Sequence, residues 1–112
     1  MFELESRRAA KDIRVASDRL RELGRNAAPG VWHVAPGEPP RVTGRDGLEV
    51  AVLSGLWAPG TAAYLTAVAP NTAYLIAELM WLSESPVRKG ELPTRLRNAL
   101  LALAQAIPGE SP

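Results

Sequence analysis

The stretch PNTAYLIAELMWL, residues 70–82, decides how this chain folds, because it is apolar on nearly every side of a helix. Glu78 is its one charged residue, and no Gly or Pro interrupts it after Pro70. Proline suits the first turn of a helix, where its missing N–H has no partner to lose. A helix without a polar face has to be covered on nearly every side. The pattern therefore predicts a central helix with Leu79 deep in the core, where Leu79→Asp would abolish folding.

Length and composition are those of one ordinary globular domain. The 112 residues are 46% hydrophobic and 22% charged, and the formal net charge is +1, so no overall field attracts nucleic acid or an anionic membrane. The absence of Cys excludes disulfides and thiolate metal sites, and it fits a reducing compartment. Met1 is followed by a charged amphipathic segment, whereas a signal peptide needs an apolar run. We expect a single domain, residues 1–112, in the cytoplasm.

An amphipathic helix is predicted over residues 1–24. Its apolar residues recur at the spacing of one helix face, and they are Phe2, Ala9, Ile13, Ala16, Leu20 and Leu23. Charges of both signs lie between them, so the opposite face is expected to be solvated. Gly24 is expected to end the helix. The same stripe is compatible with about three heptads of a coiled coil, which leaves self-association of this helix open.

Short runs separated by turn residues predict an antiparallel β-meander over residues 31–56. Asp46 and Gly47 form the strongest hairpin signal, because both residues tolerate the positive φ that such a turn needs. In the strand that follows, Glu49 and Ala51 are expected on one face. The opposite, buried face is expected to hold Leu48, Val50 and Val52.

Helical spacing returns over residues 61–107, so three helices are expected there. The first is predicted over residues 61–69, capped by a threonine and ended by the following proline. The second is the central helix, which the Ser-Glu-Ser-Pro sequence is expected to end at residues 83–86. The third is predicted over residues 92–107, with a proline at its start and Pro-Gly after it. Residues 108–112 are expected to form a frayed tail.

The predicted fold class is α+β, with an N-terminal helix, a small antiparallel β-meander and then three C-terminal helices. We expect one hydrophobic core. Its predicted members are Ile13, Leu20, Leu23, Trp32, Val34, Val50, Val52, Leu65, Ile76, Leu79, Met80, Leu96, Leu100 and Leu103.

No residue pattern points to catalysis, to a cofactor or to a metal. His33 is the single histidine and has no Cys or carboxylate cluster near it in the sequence, so it makes neither a metal site nor a catalytic dyad. The serines lie outside any G-x-S-x-G setting, and neither a P-loop nor a G-x-G-x-x-G motif is present. We therefore expect a protein that is not an enzyme, with no catalytic residues, no cofactor and no metal.

Two segments resemble a known family. The run AAPGVWHV, residues 27–34, resembles the Ala-Thr-Pro-Gly-Pro-Trp segment of the Ead-like small accessory proteins of temperate phages and prophages. TAAYLTAVAPNTAYLIAEL, residues 61–79, is similar to the alanine-rich aromatic helix, proline and Leu-rich helix of that family. Val31 stands where the family often has a second proline, and Ala69 where it often has Asn. The resemblance covers roughly residues 8–83 and implies a small intracellular phage or prophage protein without an established activity.

The last helix has apolar residues on more than one side, which favours a binding function. Most of its leucines share one face, whereas Leu101 lies off that face beside Arg97 and Asn98. One small sheet covers one such side, and a two-fold partner could cover the other. We expect a non-catalytic phage-type accessory protein that acts through protein–protein binding, as a homodimer or with a host protein. The candidate interface consists of Leu92, Leu96, Leu100, Leu101, Leu103 and Ile107.

Two alternatives rank below protein binding. A nucleic-acid-associated regulator would use basic residues of the first helix and of the region near the last one, but no helix-turn-helix or ribonucleoprotein motif is present. These residues are Arg7, Arg8, Lys11, Arg14, Arg19, Arg21 and Arg25, with Arg88, Lys89, Arg95 and Arg97. A membrane-active protein is suggested by residues 50–77, which carry no charge and exceed the about 20 residues that span a bilayer. The Pro-Asn-Thr break in the middle of that stretch argues against it.

Overall fold

The structure is a computed structural model and describes residues 2–109, with side chains from Glu3 onward. The predicted α+β class and the predicted order of elements are confirmed. Residues 110–112 of the predicted tail lie outside the described residues. The elements are α1 (Phe2–Arg25), β1 (His33–Ala35), β2 (Arg41–Thr43), a 3-10 turn (Arg45–Gly47), β3 (Glu49–Val52), α2 (Ala58–Ala67), α3 (Pro70–Arg88) and α4 (Thr94–Ala106).

The chain divides into two units. The helical unit comprises the described residues of Met1–Glu22 and Tyr74–Pro112 and contains most of α1, most of α3 and all of α4. The sheet unit, Leu23–Ala73, contains the three strands and α2. Within the sheet unit, α2 packs against β1 and β2.

Small residues line the core of the helical unit on the side of α1. Ala9, Ala10 and Ala16 are buried there beside Ile13, and small side chains at a helix contact allow a short distance between helix axes. α3 contributes Met80 and Val87, and α4 contributes Ala104. The partly buried residues packed against this cluster are Leu20, Ile76, Leu92, Leu100, Leu101 and Ile107.

α3 continues to Arg88, so the expected end at residues 83–86 was wrong. Pro86 lies in the last turn, where its missing N–H removes one helical hydrogen bond without breaking the helix. The end is set by Gly90, which has φ +69° and whose N–H donates to the Val87 carbonyl at 3.0 Å. The N–H of Glu91 donates to the Pro86 carbonyl at 2.9 Å. These two bonds form a Schellman motif, which needs a left-handed residue such as glycine.

The other helix boundaries differ from prediction by a few residues. α1 continues through Gly24 to Arg25. α2 begins at Ala58, ahead of the predicted Thr61, because Pro59 fits the first turn and the N–H of Thr61 already donates to the Trp57 carbonyl. α4 lies within the predicted residues 92–107.

The predicted hairpin is confirmed. The three strands form an antiparallel sheet in the order β1-β2-β3. Asp46 has φ +59° and Gly47 has φ +73°, as the Asp-Gly signal predicts. The N–H of Gly44 donates to the Leu48 carbonyl at 2.8 Å, which closes the connection between β2 and β3.

A β-bulge overturns the predicted faces of β3. Val42 pairs with Ala51, whereas Thr43 pairs with Glu49, so Val50 is an extra residue on β3. A bulge shifts the alternation of side chains by one position. Ala51 is therefore half-buried opposite the buried Val42, while the two residues expected inside, Leu48 and Val52, are exposed.

The predicted core is confirmed in part. Ile13 and Met80 are fully buried, and Leu20, Ile76 and Leu100 pack against the buried cluster. Four more predicted members are half-buried, namely Leu23, Trp32, Val50 and Leu65. The prediction was wrong for five exposed residues: Val34, Val52, Leu79, Leu96 and Leu103.

Leu79 illustrates why the core prediction failed on α3. Ile76, Met80 and Val87 occupy the inward side of the helix, and a residue one position before Met80 is rotated by about 100° from it. Leu79 is 64% exposed as a result. The expectation that Leu79→Asp abolishes folding is therefore corrected, because the new carboxylate would remain in water.

Candidate functional site

The outward side of α3 is the most prominent apolar surface of the helical unit. We call it the α3 face and define it by Tyr74, Leu75, Leu79, Trp81 and Leu82. Leu75 and Leu79 are each 64% exposed, Leu82 is 55% exposed, and both aromatic side chains reach solvent. Scattered exposed leucines are normal on a protein surface, but a contiguous apolar patch marks a binding site.

The α3 face follows from the lack of a polar side in this helix. Ala77 and Met80 point into the core, and at about 100° per residue the five face residues fall on the remaining arc. Glu78 is the one charged residue between Tyr74 and Leu82, and it lies on the same exposed arc. Apolar residues therefore supply both the inner contacts and the outer surface of α3.

The six residues of the predicted interface separate into two groups. Leu92, Leu100, Leu101 and Ile107 pack against the core of the helical unit. Leu96 and Leu103 are exposed.

Leu101 lies on the inward side of α4. It lies four residues after the half-buried Arg97 and three before the buried Ala104. These spacings place the three residues on one helix face. Leu101 therefore points inward, whereas Leu96 and Leu103 form the outer edge of α4.

A second exposed apolar surface, which the sequence patterns did not predict, lies in the sheet unit. Leu56 is 86% exposed and Trp57 is 79% exposed. They follow Gly55, which has φ +95°, and precede α2. A cavity of about 430 Å³ is lined by Leu56 together with residues that include Pro39, Pro40 and Leu53. The sequence signal that could have predicted this surface is a pair of large apolar residues that directly follows a turn glycine and lies outside any predicted strand or helix.

Basic side chains from separate parts of the sequence meet in the helical unit. Two neighbouring cavities share Ser6 and Gly90 as lining residues. The larger, of about 630 Å³, is also lined by Glu3, Arg7, Arg88 and Lys89. The smaller, of about 210 Å³, is also lined by Val87, Leu92, Thr94 and Arg97. We call the two cavities together the basic groove.

Most other basic residues of α1 lie outside the basic groove. Arg8, Lys11 and Arg14 are exposed along the helix. Arg19 has a structural contact, since its Nε donates to the Pro108 carbonyl at 3.2 Å and its Nη1 lies 3.4 Å from a carboxylate oxygen of Glu22. Of the basic residues that the nucleic-acid alternative relies on, Arg7, Arg88, Lys89 and Arg97 are the ones that line the basic groove.

His33 and Ser83 are two residues whose side chains could in principle serve in catalysis. His33 begins β1 and is exposed. Ser83 donates its hydroxyl to the Leu79 carbonyl at 2.7 Å, a bond within α3. Within residues 3–109, no three His, Asp or Glu side chains are grouped so that they could hold a metal ion.

Across the helices of residues 2–109, none combines the length and the apolar character needed to cross a bilayer. No family model, no curated protein and no solved structure matches this chain. The resemblance to Ead-like accessory proteins stays a prediction.

Proposed function

We propose that this protein is a non-catalytic accessory protein of phage or prophage type that acts through protein–protein binding and forms a homodimer through the α3 face. The observation that carries the proposal is the exposure of five large apolar side chains along two turns of one helix. The absence of Cys fits a reducing compartment, which favours the cytoplasm of the host cell.

Burial of the α3 face would supply the free energy of association. Complete burial of a leucine or aromatic side chain contributes about 1.5–3 kcal/mol. Leu75, Leu79 and Leu82 are each more than half exposed, so most of that contribution is still available to a partner. Tyr74 and Trp81 border the leucines, and aromatic residues are enriched in the buried centre of interfaces.

The spacing of the leucines favours a second copy of the chain as the partner. Leu75, Leu79 and Leu82 recur at intervals of four and three residues, which is the spacing of a coiled-coil seam. The three are nearly symmetric about Leu79. An antiparallel two-fold contact centred there sets Leu75 of one copy against Leu82 of the other, so the same patch is used twice.

The outer edge of α4 is the other candidate for the dimer contact. Leu96 and Leu103 remain from the interface that the sequence predicts, and both are exposed. They offer two large side chains where the α3 face offers five. Leu96→Asp and Leu79→Asp distinguish the two contacts, since each places a carboxylate in only one of them.

Light scattering after size exclusion, over a tenfold range of concentration, tests the proposal. A dimer has about twice the 12.0 kDa mass of one chain. A mass of one chain at every concentration would exclude the homodimer and leave a host protein as the partner for the α3 face.

A further inference from the structure

We propose that the basic groove binds a phosphate group, either as inorganic phosphate or as the phosphate of a small organic molecule. This site belongs to the helical unit and is made by α1, by the C-terminal end of α3 with the segment that follows it, and by α4. It uses none of the residues of the α3 face, so it does not depend on the homodimer.

The lining of the groove has an excess of positive charge. Four basic side chains lie along it, and Glu3 is the one carboxylate among its lining residues. Arg7 is paired with Glu3 at 2.9 Å, and Arg88 with Glu84 at 3.5 Å.

The positive charges of the other two basic residues, Lys89 and Arg97, are not balanced by a neighbouring carboxylate in the described part of the chain. Among residues 3–109, neither of them forms an ion pair. Charge-assisted hydrogen bonds from guanidinium and ammonium groups to phosphate oxygens are among the stronger polar contacts of proteins.

Arg97 is the residue that most directly points to an anion. It is half-buried, and within the described residues its Nε is buried and has no hydrogen-bond acceptor. Arg97 is the most buried of the four basic residues of the groove, and a half-buried cation without a partner is unfavourable. Arg97 Nε itself is closed to a ligand, so a phosphate in the smaller cavity would contact the guanidinium through its terminal nitrogens and would supply the missing negative charge.

Neutral hydroxyl groups complete the lining of the smaller cavity. Ser6 is 5% exposed and Thr94 begins α4, and both line the cavity together with Arg97. Several donors from different elements suit the tetrahedral oxygens of phosphate. The smaller cavity holds a phosphate group, and the larger one beside it leaves room for the rest of a small organic phosphate.

The arrangement favours a small phosphate over nucleic acid. A duplex presents phosphates along its length, and proteins that bind it neutralise several of them at once. Here the basic residues gather in one groove, while Arg8, Lys11 and Arg14 are spread over the exposed part of α1. Glu5 and Asp12 are exposed on the same helix and add negative charge there.

The test is a titration of the ¹⁵N-labelled full chain with sodium phosphate, followed in ¹H–¹⁵N NMR spectra at constant ionic strength. We expect saturable shifts of the Ser6, Gly90 and Thr94 amide signals. Arg97→Met should weaken the apparent affinity at least tenfold, because it removes the cation and its donors. Arg95→Met is the matched control, since Arg95 is exposed on the same helix outside the groove. The apparent affinity of this variant for phosphate should stay within twofold of the wild-type value.

Thermal melting separates binding from a structural role of Arg97. Without phosphate, Arg97→Met should melt at the wild-type temperature or higher, because methionine replaces a half-buried cation that has no partner. Phosphate should raise the melting temperature of the wild type but not of this variant. Lys89→Met changes an exposed residue and should also weaken binding while it keeps the fold.

Three results would overturn the proposal. Shifts that do not saturate, or that persist unchanged in Arg97→Met, would mean that phosphate associates nonspecifically. A 20-base-pair DNA duplex that shifts the Arg8 and Arg14 amide signals as strongly as that of Gly90 would assign the groove to a nucleic-acid surface. An Arg97→Met variant that melts well below the wild type, with no effect of phosphate on the wild type, would make Arg97 a structural residue.

Discussion

The hydroxyl of Ser17 on α1 donates a hydrogen bond of 2.8 Å to the backbone carbonyl of Ala77 on α3, and both residues are fully buried. The two positions are 60 residues apart in the sequence. Because Ala77 faces α1, the opposite side of α3 has to face outward, and that side carries Leu75, Leu79 and Leu82. A small polar contact inside the helical unit is therefore linked to the orientation of the α3 face.

Because Ser17 contacts Ala77, two substitutions of Ser17 should lower the free energy of unfolding by different amounts. Ser17→Ala removes the hydrogen bond and should lower the free energy of unfolding by about 1 kcal/mol. Ser17→Val adds volume where small residues pack closely, and it should cost about 1–3 kcal/mol. Urea unfolding measures both values.

Ser83 provides the matched control for this pair. Its hydroxyl donates to a carbonyl of its own helix and lies near the surface, so Ser83→Ala should change the free energy of unfolding by less than about 0.5 kcal/mol. A neutral Ser17→Val variant would show that α1 and α3 do not approach closely at this point.

The C-terminal end of α3 is predicted to require a glycine at position 90. Its φ of +69° is unfavourable for any residue with a Cβ, although a Cβ there would meet only ordinary contacts, the nearest being Ser6 Oγ at 3.9 Å. Gly90→Ala should therefore destabilise by about 1–2 kcal/mol through the backbone alone.

Gly60→Ala is the control for Gly90. Gly60 lies in the first turn of α2, has no positive φ and has open space where a Cβ would be placed. Alanine loses less conformational entropy on folding than glycine, so this variant should be neutral or more stable. The melting temperature should fall for Gly90→Ala and should stay the same or rise for Gly60→Ala, and equal shifts would contradict the assigned helix end.

The turn between β2 and β3 makes a prediction for the sheet unit. Asp46 has φ +59°, a region that Asn tolerates but that is strongly unfavourable for a β-branched residue. Asp46→Val should cost about 1–2 kcal/mol, whereas Asp46→Asn should stay close to the wild type. Comparable unfolding curves for both variants would show that the left-handed turn is not populated.

The sequence predicted the order of elements because that order depends on local signals. The Asp-Gly turn, the prolines at helix starts and the stripe around Ile13 each act over a few residues, and each was confirmed. The prediction of the two faces of β3 was wrong for a different reason. The bulge at Val50 inserts one residue into β3, and no local signal distinguishes a bulged strand from a regular one of the same composition.

The candidate sites could be predicted only in part. Residues 70–82 of α3 are apolar on nearly every side. Their sequence therefore indicates that the helix needs covering but not which side is covered, and Leu79 was assigned inward for this reason. The same ambiguity applies to Leu101 on α4. The basic groove could not be predicted at all, because it joins Arg7 to residues 88–97, and periodicity within each helix carries no information on contacts between them.

Leu79→Asp tests both the exposed position of Leu79 and the proposed dimer contact. Since Leu79 is exposed, the variant should melt cooperatively within a few degrees of the wild type, and its carboxylate should oppose the burial of the α3 face in a dimer. Leu4→Asp is the matched control, because Leu4 is 58% exposed on α1. An unfolded Leu79→Asp variant beside a folded Leu4→Asp variant would contradict the exposed position of Leu79.

The most direct test of the central claim is the solution mass of the wild type, Leu79→Asp, Leu4→Asp and Leu96→Asp by light scattering after size exclusion. We predict twice the 12.0 kDa chain mass for the wild type, Leu4→Asp and Leu96→Asp, and the mass of one chain for folded Leu79→Asp. A wild type that keeps the mass of one chain over a tenfold range of concentration, or a folded Leu79→Asp that remains a dimer, would contradict binding through the α3 face.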